Sequence, residues 1–304
     1  MEFGRLKNID FVHFALPPDH PGTARVLTAA DRTAYLQPQV YVGCPTWNNK
    51  PWLGNYYPAG VAANEHLFWY SRQFNTIELN TTHYRIPDAA TINRWRDTVP
   101  PNFTFCPKVP QLISHDRQLL KSQGATIAFQ ESLKDLNEHL GCAFLQLPPT
   151  FGLYGLPVLE DYIADWAGGI SLAIELREAG WFNNEPAFKE LGAALEACNL
   201  ATVITDVAGR RDVLHMRLTN STAFIRFVGY GLHPSDYLRL NYWVERLKVW
   251  FDLGLQKLYF FIHQENISHS PILINYFLDQ LEQHCGIKLD KPKPIPQPVQ
   301  GSLF

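Results

Sequence analysis

The sequence predicts a single (β/α)8 TIM-like barrel of the α/β class, and three observations lead there. From about residue 40 onward, short runs rich in β-branched and aromatic residues alternate with longer amphipathic segments, the pattern of βα units around a parallel sheet. Eight such runs occur, the number that closes a barrel. No GxGxxG or GxxxxGK(S/T) turn follows the early runs, which removes the main signal of a nucleotide-binding open sheet.

The predicted strands are 40–44, 76–80, 103–108, 142–147, 171–177, 201–206, 223–228 and 257–263. Helical patterns fall between them at 64–74, 88–98, 126–140, 185–198 and 236–253. Residues 1–39 stand outside the alternation as an N-terminal extension against a barrel spanning 40–287. Residues 288–304 form a tail. Its segment KLDKPKPIPQPVQ, with prolines at 292, 294, 296 and 298, cannot continue a helix and reads as an extended, semi-rigid spacer.

Composition narrows the function classes. With 46% hydrophobic and 18% charged residues the chain has ample material for a packed core. Lys and Arg number 26 against 29 Asp and Glu, a net charge of −3, which excludes a strongly basic nucleic-acid coat but leaves room for a local basic groove. The apolar stretch 258–262 is too short to span a bilayer. Asp10, His13, Pro17 and Pro18 interrupt the region where an export signal needs an apolar run. Five cysteines, odd in number and without CxxC spacing, read as idle thiols. The expectation is a soluble cytoplasmic protein with no membrane partner.

Strand alternation then places polar groups at the mouth. In 76–80, Ile77 and Leu79 suit the helix layer and send Glu78 and Asn80 inward; in 171–177, Ile174 and Leu176 face out while Ala173, Glu175 and Arg177 face in. The same test turns Lys108, Gln146, Asp206, Arg226 and His263 inward, all late in their strands. Branched apolar side chains fill a barrel interior without such a ring, and active sites of this fold lie at the C-terminal mouth. Buried charge without a purpose is costly. The ring therefore predicts a polar ligand, with Lys108, Arg177 and Arg226 suited to a phosphate or carboxylate. Glu78, Glu175 and Asp206 are the candidate catalytic acids and bases. A divalent metal held by these carboxylates with His263 is the less favoured reading, since no HExxH or other compact ligand spacing occurs; no cofactor is identified. Trp47, Trp52, Tyr56, Tyr57, Tyr84 and Trp181 crowd the adjoining loops and either stack on a ligand ring or pack beneath the loops themselves. His115, His233 and His269, loop histidines without a partner visible in sequence, are left out of the site.

The strand-end motifs resemble the domain-of-unknown-function 72 family, also called YecE-like. They are YVGCPTWNNKPWLGNYYP (41–58), NTIELNTTHYRIP (75–87), FCPKVP (105–110), LQLPPTF (145–151), IELREAGW (174–181) and IRFVG (225–229), in the family's order. The resemblance runs from about residue 40 to 285. It implies a TIM-like barrel, supplies no settled activity, and carries hallmark positions onto Glu78, Asn80, Tyr84, Lys108, Gln146, Glu175, Arg177, Trp181, Asp206 and Arg226. The last strand departs from the family's Asn-rich ending and reads FFIHQENISHSP (260–271), so no family role is carried onto His263 or Gln264.

The final QGSLF (300–304) resembles the short peptide by which bacterial replication and repair proteins bind the sliding clamp. In that resemblance Gln300 makes polar contacts while Leu303 and Phe304 enter an apolar pocket; Gly301 stands where leucine is usual. Burying each large side chain is worth about 1.5–3 kcal/mol. The alternative is that Leu303 and Phe304 dock back onto the barrel. Together these features suggest a barrel enzyme acting by phosphodiester hydrolysis, or related chemistry, on DNA or a DNA-derived phosphate compound, recruited by the clamp. A small-molecule enzyme, such as a sugar or phosphosugar hydrolase or isomerase, and a non-catalytic ligand-sensing adaptor are the alternatives.

Overall fold

The computed structural model describes residues 4–31, 37–166 and 169–296, and each run anticipated as a strand is one. They are β1 (Gln39–Cys44), β2 (Thr76–Leu79), β3 (Thr104–Pro107), β4 (Ala143–Gln146), β5 (Leu172–Glu175), β6 (Ala201–Asp206), β7 (Thr222–Val228) and β8 (Lys257–His263). The named pairs are all parallel, in the order β3-β2-β1-β8-β7-β6-β5-β4. The two ends of that order meet through Gly141 N–H to Phe105 O at 2.8 Å and Val109 N–H to Phe144 O at 2.9 Å, which closes the barrel. Gly43 is required where β1 and β2 approach: a Cβ there would lie 2.1 Å from the Thr76 carbonyl oxygen.

The helices are α1 (Pro21–Ala29), α2 (His66–Tyr70), α3 (Thr81–Tyr84), α4 (Ala89–Thr98), α5 (Gln123–Leu133), α6 (Leu156–Ala164), α7 (Gly180–Asn183), α8 (Glu185–Ala197), α9 (Pro234–Leu253) and α10 (Ser270–Cys285). α9 opens on a proline and ends at Gly254 with φ 123°, the expected asymmetry of helix ends. The pattern at 126–140 is not one helix. α5 gives way to a tighter 3-10 stretch, Lys134–His139, broken at Asn137 with φ 50°. No described helix is long and apolar enough to cross a membrane.

Inside the barrel the side chains form levels. Tyr41 and Tyr259 stack with centroids 4.9 Å apart toward the strands' N-terminal ends. Above them Phe144, Phe224 and Phe261 pack with Cys106, Ala173 and Val203. This small aromatic core carries the polar level that forms the mouth.

The described segments that flank the barrel, from residue 4 and up to residue 296, both lie against it. The N-terminal segment crosses the mouth's rim, where Gly4 O accepts from Gly209 N–H at 2.9 Å and Lys7 O accepts from the Tyr230 hydroxyl at 2.6 Å. Further along, Asp19 pairs with Arg246 and accepts from Trp250 Nε1 at 3.1 Å, and α1 packs on α9. At the other end residues 288–296 are extended, as the prolines dictate, but they lie on the barrel surface instead of standing off as a spacer. Lys291 pairs with Asp279 at 2.5 Å, Pro292 is buried with its carbonyl held by Asn275 Nδ2 at 3.0 Å, and Ile295 N–H reaches Asn55 O at 2.5 Å. Gln73 grips Lys293 from both sides, accepting its N–H at 2.8 Å and donating to its carbonyl at 3.1 Å. Gln300, Leu303 and Phe304 lie outside the described residues. Gln73→Ala is expected to release this clasp, so the Lys293 amide should exchange with solvent roughly thirtyfold faster by hydrogen-exchange mass spectrometry, the equivalent of two lost hydrogen bonds at about 1 kcal/mol each. Unchanged exchange would show that the other contacts suffice to hold the segment.

Candidate site at the barrel mouth

The polar level is a single connected network. Arg226, from β7, lies between two carboxylates. Its Nε and Nη2 donate to the two oxygens of Glu78 on β2, each at 2.9 Å, and its Nη1 donates to Glu175 on β5 at 2.8 Å. Glu78 also receives Asn80 Nδ2 at 2.9 Å and His263 Nε2 at 2.7 Å. Glu175 receives Arg177 Nε at 2.9 Å, Thr205 Oγ1 at 2.9 Å and Gln146 Nε2 at 2.7 Å. Each carboxylate therefore accepts four hydrogen bonds, the full capacity of its two oxygens. Relative exposure is 0% for Glu78, 1% for Glu175 and 2% for Arg226.

Electrostatics follow from that enclosure. Burial works against the charged form of Glu175, but Arg177 and Arg226 outweigh it and hold the carboxyl at about 2. For Glu78, Arg226 and His263 likewise overcome burial and hold it well below the usual carboxylate range. His263 is pushed down mainly by burial, so it is a neutral ring donating Nε2–H to Glu78.

Lys108 has one side-chain partner among the described residues, although an ammonium can donate three hydrogen bonds. It follows β3 at the rim, and its Nζ donates to Gln146 Oε1 at 2.8 Å. No carboxylate among the described residues forms an ion pair with it. Burial first, then the charge of Arg226, lowers its ammonium to about 8. Beside it are two imidazoles that sequence reasoning passed over. His83 Nδ1 bonds Val109 O at 2.9 Å, and the His83 and His115 rings meet edge to face at 5.1 Å. Both are pushed down by burial and then by Lys108, His83 to about 4. His83 lay within the strand-end motif, between Asn80 and Tyr84, so a signal was there to read. Thr205 was missed for a different reason, concerning which way β6 faces.

Asp206 was expected at the mouth and is not there. On β6 it is Thr205, in register with Arg226, that faces the axis. Asp206 turns outward to α9, where it pairs with Arg239 at 2.8 Å, accepts Trp243 Nε1 at 2.8 Å, and pairs with Arg211. The aromatic reading also needs correction. Trp52 is fully buried among Tyr56, Tyr57, Tyr70 and Phe74, and Trp181 is fully buried against Phe151, whose carbonyl its Nε1 reaches at 2.8 Å. Neither ring is open to a ligand. Trp47 is half-buried with its edge against Trp95, whereas Tyr84, 79% exposed at the end of α3, is open to solvent. Arg226 was read as a phosphate ligand, but its guanidinium is occupied by Glu78 and Glu175.

A cavity of about 300 Å³ opens beside the network, between the N-terminal segment and the ends of β6, β7 and β8. His263 lines it, with Leu6, Pro45, Val207, Gly229 and Tyr230. Larger hollows, of about 440 and 830 Å³, lie near the opposite ends of the strands, where residues 288–290 pass, and contain none of the mouth residues. Among the described residues no three His, Cys, Asp or Glu side chains gather to hold a metal ion.

The chain is similar to known proteins in sequence and to solved structures in fold. The chain is 28% identical over 283 residues to UPF0759 protein YecE of Escherichia coli (strain K12), covering 87% of this chain and all of that one. It is 27% identical over 158 residues to UPF0759 protein YunF of Bacillus subtilis (strain 168), covering 50% and 54% of the two chains. Crystal structures of DUF72 family proteins superpose on it. One from Enterococcus faecalis V583 gives a TM-score of 0.65 at 19% identity, over 85% of this chain and all of that one. One from Thermotoga maritima MSB8 gives 0.61 at 21% identity, over 80% and 99%. These likenesses carry the barrel fold. The family model described as "Protein of unknown function DUF72" matches residues 41–298, nearly the whole barrel and the clasped tail, and the chain belongs to that family.

Proposed function

We propose that the barrel mouth binds a small anionic molecule, a phosphorylated or carboxylated metabolite, and acts on it as an enzyme. The observation that carries this reading is the charge arrangement. Three cations, Lys108, Arg177 and Arg226, face two carboxylates, Glu78 and Glu175, whose oxygens are already filled by protein donors. The Lys108 ammonium, held by one neutral acceptor, is the group an anion would complete. Depth supports a small ligand over a polymer. Lys108 is 8% exposed and Arg177 9%, so a duplex backbone lying on the rim would not reach them. A DNA-derived compound fits this reading as a mononucleotide-sized phosphate, not as intact DNA. Phosphodiester hydrolysis by Glu78 and Glu175 is the less favoured chemistry, because carboxylates accepting four hydrogen bonds and held strongly acidic are poor proton carriers. Their arrangement suits positioning of Arg226, Gln146 and His263.

Orthophosphate and a sugar phosphate at millimolar concentration are expected to raise the melting temperature at pH 7, whereas the uncharged sugar and an oligonucleotide leave it unchanged. Lys108→Met should abolish the shift. Because binding uses the ammonium form, the shift should shrink as pH rises through about 8. A shift that survives in Lys108→Met, or equals that from the uncharged sugar, would overturn the reading.

A second proposal concerns the tail. Ile295 is fastened to Asn55 on the barrel exterior, and eight residues of the sequence follow residue 296. Eight residues reach at most about 28 Å, enough to present Gln300, Leu303 and Phe304 to a sliding clamp beside the barrel. A labelled 291–304 peptide titrated with a bacterial clamp is expected to bind at micromolar concentration by fluorescence anisotropy. A peptide carrying Leu303→Ala and Phe304→Ala should not. Absence of binding by the parent peptide up to about 1 mM, weaker than roughly −4 kcal/mol, would remove the clamp as a partner.

A further inference from the structure

We propose that the ligand of the mouth is a small carbonyl compound carrying an anionic group, and that Lys108 joins it covalently as an imine; this rests on the anion-binding reading above. The argument begins with how the amine is held. Gln146 is fixed by donating Nε2 to Glu175 Oε2 at 2.7 Å, so its Oε1 must face Lys108 and takes one of the amine's hydrogens at 2.8 Å. A buried ammonium has three hydrogens to place. No carboxylate among the described residues pairs with this one, although Glu78 and Glu175 lie in the same network. Their oxygens are already taken by Arg226, Arg177, Asn80, His263, Thr205 and Gln146. The enclosure therefore tolerates the neutral amine, which needs only the Gln146 acceptor and keeps a lone pair for a carbonyl carbon.

The surroundings of the amine weaken its hold on a proton. Burial first, then Arg226 and Arg177, disfavour the charged amine, and Glu175 and Glu78 only partly offset them, leaving the ammonium at about 8. His83, with the hydrogen on the Nδ1 that bonds Val109 O, has Nε2 as a bare acceptor, and His115 packs against its ring. Both rings are neutral at pH 7. In the step proposed, Lys108 Nζ attacks the carbonyl carbon to give a carbinolamine. The amine's proton passes through solvent to the carbinolamine oxygen, which leaves as water with a second proton. The product is a protonated imine. It restores the cation that the ammonium had supplied, and the ligand's own anionic group pairs with it. No oxidant, metal or further reactant is needed.

The test is reductive trapping on the full chain. Glycolaldehyde, which is uncharged, and glycolaldehyde phosphate are each incubated with the protein and sodium cyanoborohydride at pH 7.5, and modified lysines are mapped by peptide mass. At that pH an amine of pKa near 8 is neutral a few hundred times more often than an ordinary lysine. Its lower basicity trims the expected advantage to about twentyfold. Lys108 should therefore be labelled at least tenfold faster than exposed Lys134 or Lys248, faster still with the phosphate, and orthophosphate should protect it. Labelling of Lys108 no faster than those surface lysines by either aldehyde would overturn the imine, leaving the orthophosphate melting shift to judge the anion reading alone. Rapid labelling with no gain from the phosphate group and no protection would instead overturn the anionic ligand class. The readout is on the unmodified sequence, so it does not depend on a variant folding; Lys108→Arg, which keeps the charge, serves as the control that loses the adduct.

Discussion

Arg226→Leu is expected to destabilise the protein by about 3–5 kcal/mol, the range for removing one partner of a buried ion pair. The guanidinium makes three hydrogen bonds to two carboxylates that are otherwise sealed from water. Without it Glu175 retains Arg177, but Glu78 is left with neutral His263 and Asn80. The pH dependence should change sign. In the parent chain Glu175 sits at about 2, below its ordinary 4.5, so its contribution is complete above pH 4.5 and is lost as pH falls toward 2. In the variant burial dominates at Glu78, whose carboxyl rises above its ordinary value, so the cost of burying its charge should be relieved as pH falls from 7 toward 5. Urea midpoints at pH 7 and pH 5 measure this: the parent's should be lower at pH 5, because buried His83, held at about 4, stays neutral while the unfolded chain's histidines take up protons, and the variant's should fall less or rise. A destabilisation relative to the parent that is equal at the two pH values would mean that the folded variant takes up no extra proton, and would overturn the predicted change of sign.

The strands were legible because parallel barrel strands are buried on both faces and read as short β-branched and aromatic runs. The inward faces of β2 and β5 were legible too, since Ile77, Leu79 and Ile174 mark the helix side unambiguously. β6 offers no such marker. Ala201, Val203 and Thr205 are as plausible inside as Thr202, Ile204 and Asp206, and an acidic strand end suggested the second set. What decides the matter is Arg239 on α9, thirty-three residues from Asp206 along the chain, a pairing that strand alternation cannot register. The loop aromatics failed for a related reason. Trp52 and Trp181 have the composition of a stacking platform, but their burial depends on partners such as Tyr70 and Phe151 that only the fold assembles. The docked tail was half legible: prolines enforce an extended chain, but its backbone is gripped by Gln73, 220 residues from Lys293, and by Asn275, 17 residues from Pro292, pairings that the sequence does not announce.

The orientation of Asp206 separates its role from that of the mouth, and the two can be measured apart. Asp206 is 0% exposed and holds Arg239, also 0% exposed, whose guanidinium lies 4.2 Å from the Phe227 ring centroid and donates to the carbonyls of Asp206 and Val228. It thus ties the ends of β6 and β7 to α9. Asp206→Ala removes the carboxylate and strands a buried guanidinium and the Trp243 indole N–H, so a loss of about 3–5 kcal/mol is expected. Asp206→Asn keeps an oxygen for Trp243 and should lose less. Arg239 and Arg211 overcome burial to hold the Asp206 carboxyl below its ordinary 3.8, so its contribution disappears only as pH falls below that value. Above it the destabilisation of Asp206→Asn should be independent of pH. Orthophosphate should still raise the melting temperature of folded Asp206→Asn, since no group that Asp206 touches belongs to the Lys108 network, while Lys108→Met should melt near the parent temperature and lose the shift. The reverse pattern, a stable Asp206→Asn that no longer responds to orthophosphate, would return Asp206 to the ligand and contradict the outward face of β6.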